Sequence, residues 1–135
     1  MNHVIAVGLG MFASAALGAV AVQSLHAQAK PPVYLIGLID VSNPEAYSKE
    51  FAPQSQVTIR NAGGKIIAIG GAGGARASGQ VTAFDGEAPK RAVIIAWDSL
   101  EKAQAWYNSA EQQNLQKVGQ KYAKFNTFAI EGQPQ

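Results

Sequence analysis

The sequence predicts an α+β domain on a ferredoxin-like frame, an antiparallel sheet with helices on one face. Three observations lead there. Apolar runs rich in Val, Ile and Leu alternate with segments that open on helix-capping residues. The elements so marked fall in the order β-α-β-β-β-α-α-β. If the short third strand pairs with a neighbour as a hairpin, this reduces to a βαββαβ frame. Finally, the first 29 of 135 residues contain no Lys, Arg, Asp or Glu. A jump that sharp separates two segments with different solvents, and residues 30–135 read as one domain.

Pro31-Pro32 makes a stiff lead-in, and Val33 to Val41 (VYLIGLIDV) reads as the first strand. Ser42-Asn43-Pro44-Glu45 opens a helix. Ser42 or Asn43 can cap it, Pro44 suits the first turn because its missing N–H has no partner there, and Glu45 meets the positive helix end. The helix should run to about Asn61 with Tyr47, Phe51, Thr58 and Ala62 near one face. Pro53 deletes one backbone hydrogen bond and should kink or split it. Ala62-Gly63-Gly64 ends it with a left-handed cap. Lys65 to Ile69 is a second strand, Gly70 to Gly79 a flexible loop, and Gln80 to Phe84 a short third strand before the turn signal Asp85-Gly86. Arg91 to Trp97 is the next strand. Asp98-Ser99-Leu100-Glu101 is a capping-box pattern opening a helix to about Asn108. Ser109-Ala110-Glu111-Gln112 repeats that pattern and starts another helix, with Leu115, Val118 and Tyr122 on one face. Phe125 to Glu131 closes as a strand.

Residues 1–29 read as a secretory signal peptide. Val4 to Val22 is apolar with small residues throughout, and Ala27-Gln28-Ala29 offers small residues at both positions a signal peptidase needs. An uncleaved anchor is the alternative, because an apolar stretch of this length can just span a bilayer. The domain is therefore expected to be exported, periplasmic or secreted, touching a membrane only through that segment. The net charge of +2 comes from 11 basic and 9 acidic residues scattered singly. Without a basic run, nucleic acid is a poor partner. Cysteine is absent, so the core, oligomerisation or both must hold the fold.

Histidine occurs only at His3 and His26. The domain thus lacks both His and Cys, which excludes Cys–His and Ser–His–Asp nucleophile systems, His-ligated haem and ordinary zinc sites. No metal or cofactor is expected. Gly70-Gly71-Ala72-Gly73-Gly74 departs from a phosphate-loop pattern and leads into a strand, not a helix N-terminus. Asp40, Glu45, Asp98 and Glu101 sit at strand ends and helix starts, where capping and dipole roles account for them. Trp106, Tyr107 and Asn108 end a helix. They are either core and cap residues or the lining of a ligand pocket, and Tyr47 has the same ambiguity. Arg60 and Arg91 read as solvated or salt-bridged, and either could meet an anionic ligand.

Asn43-Pro44-Glu45-Ala46-Tyr47, Gly63-Gly64-Lys65 and Trp106-Tyr107-Asn108-Ser109-Ala110-Glu111 resemble the "D/N-P-E-x-Y", "G-G-(R/K)" and "W-Y-x-S-x-E" motifs of the DUF1330 family. The resemblance covers Val33 to Glu131. Gln112 stands where Tyr is usual, at what should be the pocket rim. The resemblance implies a dimeric α/β-barrel fold and no particular activity. Relatives at the level of fold include cofactor-free monooxygenases, lactone isomerases and haem-degrading enzymes, but fold does not transfer chemistry. The ligand-binding candidates are Tyr47, Trp106, Tyr107, Asn108 and Arg60.

Three functions stay open: binding of a small-molecule ligand, a cofactor-independent oxidoreductase or isomerase, and a structural or interaction protein of the envelope. A homodimer through the sheet faces is expected. The strands are apolar on both parities, as in Tyr34-Leu35-Ile36-Gly37-Leu38-Ile39 and Val93-Ile94-Ile95-Ala96-Trp97. Helices can cover only one of those faces.

Overall fold

The structure, a computed structural model, describes residues 30–72 and 79–135. The expected leader at residues 1–29 lies outside them, as does most of the glycine-rich loop. Strand β1 (Val33–Val41) leads to a helical segment in three parts: α1 (Pro44–Ala46), a π-helical stretch (Tyr47–Phe51) and α2 (Ala52–Asn61). Then follow β2 (Lys65–Gly71), β3 (Arg91–Trp97), α3 (Leu100–Tyr107), α4 (Ala110–Gly119) and β4 (Ala123–Glu131). The strands form one antiparallel sheet in the order β2-β3-β1-β4. This is the α+β ferredoxin-like arrangement, with the helices packed on one side.

Asn43 is the residue that caps α1, its Oδ1 accepting from the Ala46 N–H at 3.1 Å. Pro53 splits the segment by way of the π turn. The Ala52 N–H reaches back five residues to the Tyr47 carbonyl, and Pro53 then falls in the first turn of α2, where no helical N–H is needed. At the far end Gly63 takes φ +95°. The Gly63 N–H donates to Arg60 O and the Gly64 N–H to Ile59 O, a Schellman closure. A Cβ on Gly64 would lie 2.7 Å from both Ile59 and Trp97. The Gly-Gly corner thus serves the turn with one residue and close packing with the next.

Four local expectations change. Gln80 to Phe84 forms no strand. Gly79 makes a single parallel bridge to Gly70, which a hairpin cannot use, and Phe84 stands free in solvent. The cap of α3 is Ser99, accepting from the Lys102 N–H at 3.2 Å, one residue later than the Asp98–Glu101 pattern suggested. Ala62 is exposed, and α2 instead buries Ala52, Ser55, Thr58 and Ile59. On α4 the buried line is Gln112, Gln116 and Gly119, with Leu115, Val118 and Tyr122 only partly covered.

Register decides which side chains meet the helices, because directly opposed residues share a face. Leu35 pairs with Ile95 and Ala129, and Ile39 with Arg91 and Phe125. These odd-numbered positions face the helices. Around Trp97 and Trp106 one cluster gathers Leu35, Ile59, Ile95 and Ala103; a second gathers Ile39, Val41, Tyr47, Phe51, Ala52 and Ala123. Each large side chain so buried contributes about 1.5–3 kcal/mol.

Candidate functional site

The two clusters do not close on each other completely. Between helices and sheet they leave a cavity of ≈ 70 Å³. Leu35, Gly37, Ile39 and Val93 form its floor, and Tyr47, Phe51, Trp106 and Tyr107 reach it from the helical side. Gly37 contributes to the space by having no side chain at the centre of β1. By volume the cavity holds roughly five or six water-sized groups.

Two polar stations interrupt the apolar wall. Arg91 begins β3 in phase with Val93, Ile95 and Trp97, so its side chain enters beneath the helices and is only 3 % exposed. The guanidinium lies 5.6 Å from the centre of the Tyr47 ring, a cation–π contact, and Nη1 donates to Ala72 O at 3.4 Å. Burial pushes the Tyr47 hydroxyl above its ordinary pKa of 10.0, and the Arg91 charge opposes that rise. Arg91 is thus neither solvated nor salt-bridged to a carboxylate among the described residues. The second station is Ser55, Gln112 and Gln116. Trp106 Nε1 donates to Thr58 Oγ1 at 3.0 Å, and Thr58 Oγ1 donates to Gln112 Oε1 at 2.8 Å. Gln112 is 1 % exposed, so it forms cavity wall and not rim. Its side chain turns inward to Thr58, and the Ser109 cap keeps only its own half of the capping box, accepting from the Gln112 N–H at 3.2 Å.

Tyr47, Trp106 and Tyr107 therefore come together on one cavity. Asn108 does not join them. It is exposed at the C-terminal end of α3, on an open groove of ≈ 450 Å³ that shares Leu35, Tyr107 and Thr127 with the cavity. Tyr107 stands between groove and cavity. Arg60 is exposed on α2 and does not line the cavity. The sequence reads Arg91 as able to meet an anionic ligand but leaves it outside the candidate set, and it does not single out Ser55 and Gln116 at all. Strand parity could have found Arg91, since it shares a face with Trp97. Ser55 and Gln116 carry no comparable signal, because helix-face reasoning weights apolar residues.

These features define a class: a four-stranded antiparallel α+β domain with a small cavity under its helices and an opposite sheet face that no described helix covers. The family model for a domain of unknown function, DUF1330, matches residues 32–133, and the chain belongs to that family. No curated protein matches it. Among solved structures it is similar to the RPA0582 protein of unknown function from Rhodopseudomonas palustris, at 12% identity and TM-score 0.56, over 85% of this chain and 92% of that one. A methylated form of RPA0582 gives 13% identity and TM-score 0.59, over 85% and 90%. SnoaB, a cofactor-independent oxygenase from Streptomyces nogalater, gives 7% identity and TM-score 0.54, over 76% and 94%. At such identities the likeness is one of fold.

Proposed function

We propose that the domain binds a small molecule in the cavity beneath its helices. The observation that carries this is the cavity itself, apolar in floor and wall, with Arg91 and Tyr47 placed at it as polar contacts. Binding sites combine apolar lining with a few placed polar groups in this way. The volume sets the scale at a compact molecule of several heavy atoms. Native mass spectrometry of protein purified from its own cells tests the reading. A small molecule should accompany the wild-type chain in near one-to-one ratio. Ala52→Leu, which puts an isobutyl group into the same space, should lose it while melting cooperatively. Retention of the molecule by a folded Ala52→Leu protein would move binding elsewhere.

A second reading is cofactor-independent turnover. It is favoured by the phenol of Tyr47 held against a buried cation, an arrangement able to exchange a proton with a bound substrate. The fold shared with a cofactor-independent oxygenase is compatible with it. Tyr47→Phe should then abolish turnover while binding is weakened but retained through Arg91 and the apolar wall. Equal turnover by the variant would reject that role.

We further propose that the working unit is an exported homodimer joined through the uncovered sheet faces. Tyr34, Ile36, Leu38, Ile94, Phe128 and Ile130 share that side by register, with Phe128 and Ile130 40% and 52% exposed. Single chains rarely expose an apolar patch of this kind. The charge-free first 29 residues and Ala27-x-Ala29 support export. N-terminal sequencing should read Lys30 or Gln28 first, and an intact Met1 on membrane-bound material would support the anchor instead.

A further inference from the structure

The chemical class of the ligand follows from how Arg91 is held, an inference that rests on the small-molecule reading above. A guanidinium 3 % exposed has left most of its water behind. Such a group ordinarily meets a carboxylate, because an unpaired buried charge is costly. Here it does not. All nine acidic side chains of the chain lie in the described residues. Ion pairs there join Glu45 to Lys49, Asp40 to Lys90 and Asp98 to Lys102, and no carboxylate comes within 4.0 Å of Arg91. Among the described residues, what Arg91 has instead is one long contact to a backbone carbonyl and the face of an aromatic ring. Both stabilise a cation, but neither carries a full negative charge. The Arg91 side chain also lines the cavity, beside Tyr47, whose hydroxyl stays protonated and can donate.

We propose that the cavity takes a monoanionic small molecule, a carboxylate on a short apolar body, with the acid group set against Arg91 and Tyr47. Arginine suits this role because its fork of N–H donors matches the two oxygens of a carboxylate. The anion is a monoanion because Arg91 is the single basic residue lining the cavity among the described residues. A phosphate dianion would keep half its charge uncompensated in an apolar enclosure. Gly37, Val93 and Ile95 offer the apolar body a surface without hydrogen-bonding side chains.

The test is a matched titration of the full chain, followed by the indole N–H signal of Trp106 in NMR spectra. Butanoate, hexanoate and benzoate are compared with butanamide, hexanamide and benzamide, which have nearly the same shape and no charge. At least one acid should bind saturably and at least tenfold more tightly than its amide. Arg91→Met should erase that preference, and Arg91→Lys should keep part of it. Acids and amides binding alike would overturn the anion inference and leave the small-molecule reading standing. No binding by any of the six would remove both. An acid preference that survives in Arg91→Met would place the anion elsewhere and overturn the inference. The wild-type comparison holds even if a variant does not fold.

Discussion

Gly119 sits where α4 meets the aromatic cluster, and a methyl group there has nowhere to go. A Cβ at that position would lie 2.6 Å from Phe51 and 3.0 Å from Phe125, two rings whose centroids are 5.3 Å apart. The Phe51 ring, the nearer of the two, cannot easily retreat, because it is buried and packed against Tyr47 as well. Gly119→Ala should therefore destabilise the fold by about 1–3 kcal/mol, despite alanine's better helix propensity. Urea unfolding curves measure this, and an unchanged midpoint would contradict the packing. Tyr47 gives a second test at the same scale. Its pKa in the folded chain is raised above 10.0 by burial, with Arg91 in partial opposition. A raised folded value means that the stability linked to Tyr47 is whole below pH 10.0 and is lost as the pH climbs through the folded value. Alkaline denaturation should accordingly be shallower in Tyr47→Phe than in the wild type. Parallel curves for the two proteins would show that Tyr47 does not hold its proton in the fold.

Caps and turns govern the elements. Ser109 both closes and opens. Its N–H donates to Trp106 O, and its hydroxyl donates to the same carbonyl at 2.7 Å and accepts from the Gln112 N–H that starts α4. Ser109→Ala removes both side-chain contacts and should cost on the order of 1 kcal/mol. Asn108, one residue earlier, is exposed and makes its helix-end contacts through its own backbone N–H. Asn108→Ala should stay within about 0.5 kcal/mol of wild type, as surface changes usually do. Thermal melts of the two variants side by side separate a cap from a bystander. A drop for Asn108→Ala as large as that for Ser109→Ala would give Asn108 a structural role that its position does not suggest.

For the whole molecule the consequence of the sheet order is that every strand has one face away from the helices. Ile94 lies on that face, paired with Ile36, while Ile95 beside it is 2% exposed in the core. If copies of the chain join there, as proposed, Ile94→Glu should turn the dimer into monomer in sedimentation or light scattering, with the fold retained. Gln104→Glu, on the exposed side of α3, should leave the assembly intact. Ile95→Glu should abolish folding, because a carboxylate would be buried in an apolar interior with no cation opposite it on the sheet. A wild-type chain that is monomeric and stable at micromolar concentration would dismiss the sheet-face interface.

Local pattern was enough for much of this molecule. The apolar runs placed β1 at Val33–Val41 and β3 at Arg91–Trp97, because a buried strand needs β-branched and aliphatic side chains wherever it runs. Asn43, Gly63 and Ser109 marked helix ends through interactions made within three or five residues, and the tryptophan-tyrosine motif pointed to two residues of the cavity. Only the tertiary structure decided the rest. The segment at Gln80 had strand composition, but it meets β2 only through the single parallel bridge of Gly79 to Gly70, and a strand without a ladder does not form. Gln112 read as a pocket-rim residue until Thr58, 54 positions away, came within hydrogen-bonding distance and drew its side chain into the wall. Arg91 read as solvated or salt-bridged, with an anionic ligand as the other possibility. Its burial follows from the pairing with Ile39, which turns that position under the helices. Sequence determines what each residue prefers among its neighbours in the chain, whereas register and packing determine which distant groups it must meet, and the cavity is made of such meetings.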